Sequence, residues 1–209
     1  TNIGLDYSFF RNSLYGTFDW YFKKTKDILV EMAGIAAMGE GSSQWINAGE
    51  MENKGFEFNI GYRKTTKWGL RYDVNANIGT YRNKITKLPA TVAAKGTFGG
   101  NGVKSVIGHA MGSQVGYVAD GIFKSQEEID NHATQEGAGL GRIRWKDLNN
   151  DGKITEADQQ WIYDPTPDFT YGFNIYLEYK NFDFTAFFQG VQGVDIISDL
   201  KKETDIWAG

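Results

Sequence analysis

The sequence predicts an all-β protein: an antiparallel transmembrane β-barrel segment of about six strands, with long extracellular loops. Six segments alternate apolar and polar residues with period two, short and long connections between them alternate, and aromatic residues gather beside the short connections. Period-two alternation gives a strand one greasy and one wet face, because successive side chains point to opposite sides of the pleat.

The segments read in order. The first sets Ile3, Leu5, Tyr7 and Phe9 against Asn2, Gly4, Asp6 and Ser8. The second sets Leu14, Phe18, Trp20 and Phe22 against Tyr15, Thr17, Asp19 and Tyr21. The third places Phe56, Phe58, Ile60 and Tyr62 opposite Glu57, Asn59, Gly61 and Arg63. The fourth is the most regular, with Trp68, Leu70, Tyr72, Val74, Ala76 and Ile78 against Arg71, Asp73, Asn75 and Asn77. The fifth runs Phe169, Tyr171, Phe173, Ile175, Leu177, Tyr179 against Thr170, Asn174, Glu178 and Lys180, and the sixth Phe182, Phe184, Ala186, Phe188 against Asp183, Thr185 and Gln189.

Alternation alone fits a soluble sandwich, greasy side inward, or a membrane barrel, greasy side toward lipid. The connections favour the barrel. Arg11-Asn12-Ser13, Lys64 to Lys67 and Lys180-Asn181 are tight, whereas about residues 25–53, 87–168 and 194–209 are long. Short turns on one side and long loops on the other are the habit of outer-membrane barrels. Segments of about ten residues suit a tilted membrane-crossing strand. Phe9, Phe22, Tyr62, Trp68, Tyr179 and Phe182 are placed to form an interfacial girdle. Polar residues such as Arg71, Asp73, Asn75, Asn174 and Glu178 then line the interior. Six strands cannot close a barrel, since the smallest have about eight and open edges in lipid cost several kcal/mol per unpaired group. The chain, which opens on Thr1 in strand-like sequence, is therefore expected to be a piece of a longer polypeptide.

Composition narrows function. A net charge of −4 over 209 residues, without a Lys/Arg-dense window, lacks the footprint of a nucleic-acid binder. No cysteine is present, so no disulfide supports the fold. No apolar run approaches the length of a membrane-crossing helix.

The succession of motifs resembles the C-terminal half of the SusC/RagA-like TonB-dependent transporters. The markers are Asn53-Lys54-Gly55-Phe56-Glu57, Asp120-Gly121-Ile122-Phe123, the Asp147–Asp158 loop and Gln189-Gly190-Val191-Gln192-Gly193. The resemblance implies a plugged barrel of about 22 strands in the outer membrane of a Gram-negative, Bacteroidetes-type bacterium. It implies active import of glycans or peptides, a SusD-like surface lipoprotein as lid, and energy through TonB, by way of segments absent from this chain. The alternative is a secreted or surface β-sandwich carbohydrate-binding module with calcium-stabilised loops.

Asp147-Leu148-Asn149-Asn150-Asp151-Gly152-Lys153-Ile154-Thr155-Glu156-Ala157-Asp158 is the strongest chemical motif. Oxygen donors stand at the first, third and fifth positions (Asp147, Asn149, Asp151), with Gly152 at the sixth for the sharp turn. The Lys153 carbonyl, Thr155 and Asp158 follow at the seventh, ninth and twelfth. A hard cation such as Ca2+ needs this spacing, and the expected role is structural, fixing a long loop. Ser125-Gln126-Glu127-Glu128 is a capping box expected to open a short helix reaching Ala133. His109 and His132 lack metal or nucleophile spacing and are expected to be solvent-exposed. The glycine-rich stretch Lys95–Gly108 has no phosphate-loop pattern and is expected to be flexible. No carboxylate pair or triad spacing points to an enzyme. Trp45, Trp145, Trp161 and Tyr163 suit sugar stacking but equally suit packing, so no ligand-binding residue is assigned.

Overall fold

The computed structural model describes residues 1–32, 44–96 and 98–196. In chain order the elements are β1 (Asn2–Phe9), β2 (Leu14–Met32), β3 (Gln44–Thr65), β4 (Arg71–Lys87), α1 (Ala90–Lys95), β5 (Gln114–Gly116) and β6 (Ala119–Ile122). They continue with α2 (Gln126–Asp130), β7 (Ile143–Trp145), a 3-10 turn (Glu156–Asp158), β8 (Gln160–Tyr163), β9 (Phe169–Tyr179) and β10 (Phe182–Gln192). Every alternating segment forms a strand, except that Trp68 and Leu70 of the fourth lie in the turn before β4. One six-stranded sheet has the order β1-β2-β3-β4-β9-β10, so each strand lies beside its sequence neighbour except where residues 88–168 separate β4 from β9.

The chain divides into two compact units. The first comprises residues 1–25, 51–83 and 165–209. Registers pair Leu5 with Phe18, Val74 with Ile175 and Phe184 with Leu177, all on one face; Arg71 with Glu178, Asn75 with Asn174 and Asp183 with Glu178 fall on the other. Among the described residues, none of the buried apolar side chains belongs to this unit. Leu5 is 61% exposed, Phe184 57% and Phe182 81%. The sandwich alternative requires Phe58, Val74, Ile175 and Phe184 to be sealed between two layers. That reading is corrected here: all four share one face and none is buried. Water would not tolerate so much contiguous apolar surface, whereas acyl chains cover it at no cost.

The tight turns are local solutions to reversing a strand. Phe10, Arg11 and Asn12 take φ of 52°, 56° and 66°, and the Ser13 N–H closes the turn on the Phe10 carbonyl at 3.2 Å. Gly69 supplies φ of 93° between β3 and β4, and Lys180 φ of 54° between β9 and β10. Aromatics collect at this end: Tyr62 lies 6.0 Å from Tyr72, and Trp68 meets Tyr179 edge-on at 5.4 Å. β9 rises about 34 Å along its own axis, which at a barrel tilt of about 45° covers the roughly 25 Å apolar band of an outer membrane.

The second unit, residues 26–50 and 84–164, has its own core of Val30, Ile85, Val92, Ala93, Val106, Ala110 and Phe123. β2 and β3 run into it well past the stretch that alternation marks out. Asp27, at φ of 57°, breaks the period of β2, and the sequence therefore reads as loop from residue 25. The glycine-rich segment packs rather than roams. Val106 is fully buried, and Ile85 exchanges backbone hydrogen bonds with Gly108 and His109 at 2.8 and 2.9 Å. Ladders β5–β8 and β6–β7 complete the unit. Most of the long stretch 194–209 lies outside the described residues. Among the described residues no helix is long and apolar enough to cross a membrane.

Candidate functional site

The polar face of the first unit is a connected hydrogen-bonding surface. Tyr15 Oη donates to Asp73 Oδ1 at 2.8 Å. Asn59 and Asn75 exchange amide hydrogen bonds at 3.2 and 2.9 Å, and Asn83 Nδ2 donates to Asn53 Oδ1 at 2.8 Å. Arg71 and Glu178, opposite each other in the register, form an ion pair at 3.5 Å, and Tyr176 Oη donates to Glu178 at 2.9 Å. A groove of about 620 Å³ on this face is lined by Thr17, Tyr21, Glu57, Asn77 and Thr170, among others. Neutral amides and hydroxyls predominate there. Such a wall wets easily and offers exchangeable hydrogen bonds, with Glu57 the charged member of its lining.

Close strand contact on this face depends on glycine. A Cβ at Gly61 would lie 2.3 Å from the Tyr15 ring, and one at Gly55 2.7 Å from Tyr21 Oη. The apolar face repeats the device with Tyr7 over Gly16 and Tyr171 over Gly190. In each case a tyrosine lies across a neighbouring strand where glycine leaves room.

The Asp147–Asp158 loop is closed by its own side chains. Asp147 accepts from the N–H groups of Asn150 (2.7 Å) and Gly152 (2.9 Å). Asn149 Oδ1 accepts from Asp151 N–H at 3.0 Å, and Asp151 Oδ1 from Lys153 N–H at 2.9 Å. Asn150 and Gly152 take φ of 58° and 78°, which turns the chain sharply. Gly152 and Ile154 are bonded to Thr134 across a parallel bridge, each at 2.9 Å.

Asp158 behaves differently from the other donors. It is fully buried, with Oδ1 accepting from Leu148 and Asn149 N–H (3.0 and 3.4 Å) and Oδ2 from Thr155 N–H (2.8 Å) and Oγ1 (3.4 Å). Thr155 and Asp158 form a reciprocal capping box over the 3-10 turn. Burial pushes the Asp158 carboxyl up, but these hydrogen bonds outweigh it and hold the group below its ordinary value. The donors therefore fit a cation in part. Asp147, Asn149 and Asp151 keep spare lone pairs, while Asp158 must release N–H groups before it can coordinate anything. Among the described residues no cluster of three or more His, Asp or Glu is arranged as a metal site.

Both histidines are more enclosed than expected. His109 stacks on Trp161 at 3.8 Å, and burial depresses its imidazole, with Asp164 opposing and Lys84 reinforcing the shift. His132 packs edge-on to Phe123 at 5.2 Å. Each is drawn in by an aromatic neighbour, for His109 one distant in sequence. Helix α2 starts at the expected Ser125 cap, whose Oγ accepts from Glu128 N–H at 3.2 Å, but ends at Asp130, three residues short of Ala133. Trp145 packs 5.6 Å from Tyr117, while Trp45 is 66% exposed.

Sequence reasoning missed the residues that tie the glycine-rich segment to the Asp147–Asp158 loop. Asn101 Nδ2 donates to Gln159 Oε1 (2.7 Å) and the Glu156 carbonyl (3.1 Å), and Lys104 Nζ to the Ala157 carbonyl (3.1 Å). The only advance signal was Asn101-Gly102, an ordinary turn pair.

Comparison with known proteins agrees with this architecture. The family model described as "TonB dependent receptor-like, beta-barrel" matches residues 1–192. TonB-dependent receptor P3 of Formosa agariphila is 37% identical over 94% of this chain and 20% of its own length. TonB-dependent receptor SusC of Bacteroides thetaiotaomicron is 28% identical over 88% of the chain and 18% of its own. Structures of the RagAB peptide transporter and of the RagAB peptide importer in its "open-open" state superpose with TM-scores of 0.64 and 0.66, at 23% and 21% identity. They cover 90% and 92% of this chain and each is matched over 20% of its own length. The chain thus spans about a fifth of the length of these relatives. With an uncovered apolar face, a hydrogen-bonded polar face and a family match across 192 residues, the chain belongs to the TonB-dependent receptor β-barrel family of outer-membrane transport receptors.

Proposed function

We propose that the chain is part of an outer-membrane, TonB-dependent active importer of glycans or peptides, working with a SusD-like lid lipoprotein in a Bacteroidetes-type bacterium. The observation that carries this reading is a single sheet whose two faces suit lipid and a wet lumen, in which tight turns join β1 to β2, β3 to β4 and β9 to β10 while long connections join β2 to β3 and β4 to β9. No chemical step is needed, and transport is the whole of the proposed activity. The test uses the full-length protein in its own cell. Deleting its gene abolishes growth on, and accumulation of, one oligosaccharide or oligopeptide class, and loss of TonB has the same effect. Affinity purification brings down a surface lipoprotein. Energy-independent uptake, or growth on every such source undiminished, overturns the reading.

We also propose that the Asp147–Asp158 loop takes up a structural Ca2+, using Asp147, Asn149, Asp151, the Lys153 carbonyl and Thr155, with Asp158 joining at the expense of its N–H contacts. Spare lone pairs on the first three and the sharp turn at Gly152 support this. In the full-length transporter, calcium should slow protease cleavage within 147–158 relative to EDTA, and Asp151→Asn should remove most of that protection. Identical digestion with calcium and EDTA sinks the proposal.

A further inference from the structure

On the apolar face of the first unit, hydrophobic side chains give way to cations at one level, at the end away from the tight turns. On β2, Trp20 and Phe22 are followed two residues on by Lys24. On β3, Lys54 sits two residues before Phe56. On β4, Arg82 lies four residues beyond Ile78, separated by Thr80. All three occupy the alternation positions of the apolar set. Common height follows from contacts: Tyr21 reaches Gly55, Gly55 abuts the Thr80 carbonyl, and Gly79 pairs with Thr170 in the register. We infer that Lys24, Lys54 and Arg82 form an outward basic belt that binds the phosphorylated headgroups of glycolipids in the outer leaflet.

All three cations are exposed. Lys54 is exposed and has no ion-pair partner among the described residues. Lys24 meets Glu52 at a loose 3.8 Å, with 39% of its side chain exposed. Arg82 is 49% exposed; it engages Asp168 and the Pro167 carbonyl, which leaves part of its guanidinium fork free. Exposed pairs of this kind are weak, so a phosphate can compete for both cations. A planar guanidinium suits a phosphate oxygen pair. Directly below lie Phe22, Trp20, Phe56 and Ile78, where the acyl chains of the same lipid would rest. The tight-turn end also carries cations, Lys64 at an outward alternation position and Lys180 in the β9–β10 turn over the Tyr179 ring, but it faces the opposite, glycerophospholipid leaflet. That makes it the internal control.

This inference rests on the membrane reading proposed above, and its test separates the two. The full-length transporter is expressed in its own outer membrane and purified in mild detergent, and co-purifying lipid A phosphate is counted by mass spectrometry. In K24Q/K54Q/R82Q, retained lipid A phosphate should fall about five-fold or more, with a smaller fall in K54Q alone, and high salt should narrow the difference. K64Q/K180Q should retain as much as the parent. Unchanged retention in both belt variants overturns the inference, as does an equal loss in K64Q/K180Q. Because Lys54 has no ion-pair partner among the described residues, K54Q keeps the test valid if the triple variant fails to assemble. Absence of the parent protein from the outer-membrane fraction would instead sink the membrane reading itself.

Discussion

Gly55→Ala in the full-length transporter should cut the folded, heat-modifiable protein in the outer membrane to a small fraction of the parental amount, whereas Gly79→Ala should assemble normally. Both glycines lie on the polar face of the first unit. An added Cβ at Gly79 meets nothing closer than 3.6 Å, ordinary contact. At Gly55 it would lie 2.1 Å from the Thr80 carbonyl oxygen and 2.7 Å from Tyr21 Oη. A ring can swing aside, but a carbonyl held in a sheet cannot move without opening the ladder. Overpacking of this sort costs about 3 kcal/mol or more. Tyr21→Ala should therefore rescue Gly55→Ala only in part, because it removes the ring and leaves the carbonyl. Full rescue by Tyr21→Ala, or normal assembly of Gly55→Ala itself, would show that the strands tolerate wider spacing than the contact implies.

How much of this was legible beforehand depended on distance along the chain. Strand identity and faces were readable, because period-two alternation of Phe56, Phe58, Ile60 and Tyr62 against Glu57 and Asn59 is a local property of the pleat. The tight turns were readable for the same reason. The Tyr21–Gly55 contact was not, since nothing within β2 says which residue of β3 lies beneath its ring. Nor was the enclosure of His109, whose partner Trp161 is supplied by β8, about fifty residues away. The outward belt was half visible. Lys24 and Arg82 each follow an apolar run and Lys54 precedes one, but only strand register brings them level. In the Asp147–Asp158 loop the donor spacing was plain, while the commitment of Asp158 to backbone N–H groups was hidden, because an oxygen at the twelfth position reads alike whether it faces a cation or an amide.

That last ambiguity can be resolved by substitution. Asp158→Asn keeps the size of the side chain but replaces one acceptor oxygen with an NH2, which must then confront the N–H groups of Leu148 and Asn149 or that of Thr155. Losing charged acceptance at a fully buried position costs about 3 kcal/mol, roughly a hundred-fold in local opening read by amide exchange at those three residues. The discriminating condition is EDTA. If Asp158 served only as a cation ligand, parent and variant would exchange alike without calcium; as a clasp for backbone amides, it must separate them with or without the ion. Acid gives an independent readout. The folded carboxyl titrates below its ordinary value of 3.8, so its stabilisation is complete above that pH and is lost as pH falls through the depressed folded value. Exchange at Leu148, Asn149 and Thr155 in the parent should accelerate, relative to the intrinsic rate, only below about pH 4, and in Asp158→Asn this acid step should vanish. A parent loop indifferent to that descent would mean the carboxylate is a bystander, and that the capping box is held by Thr155 alone.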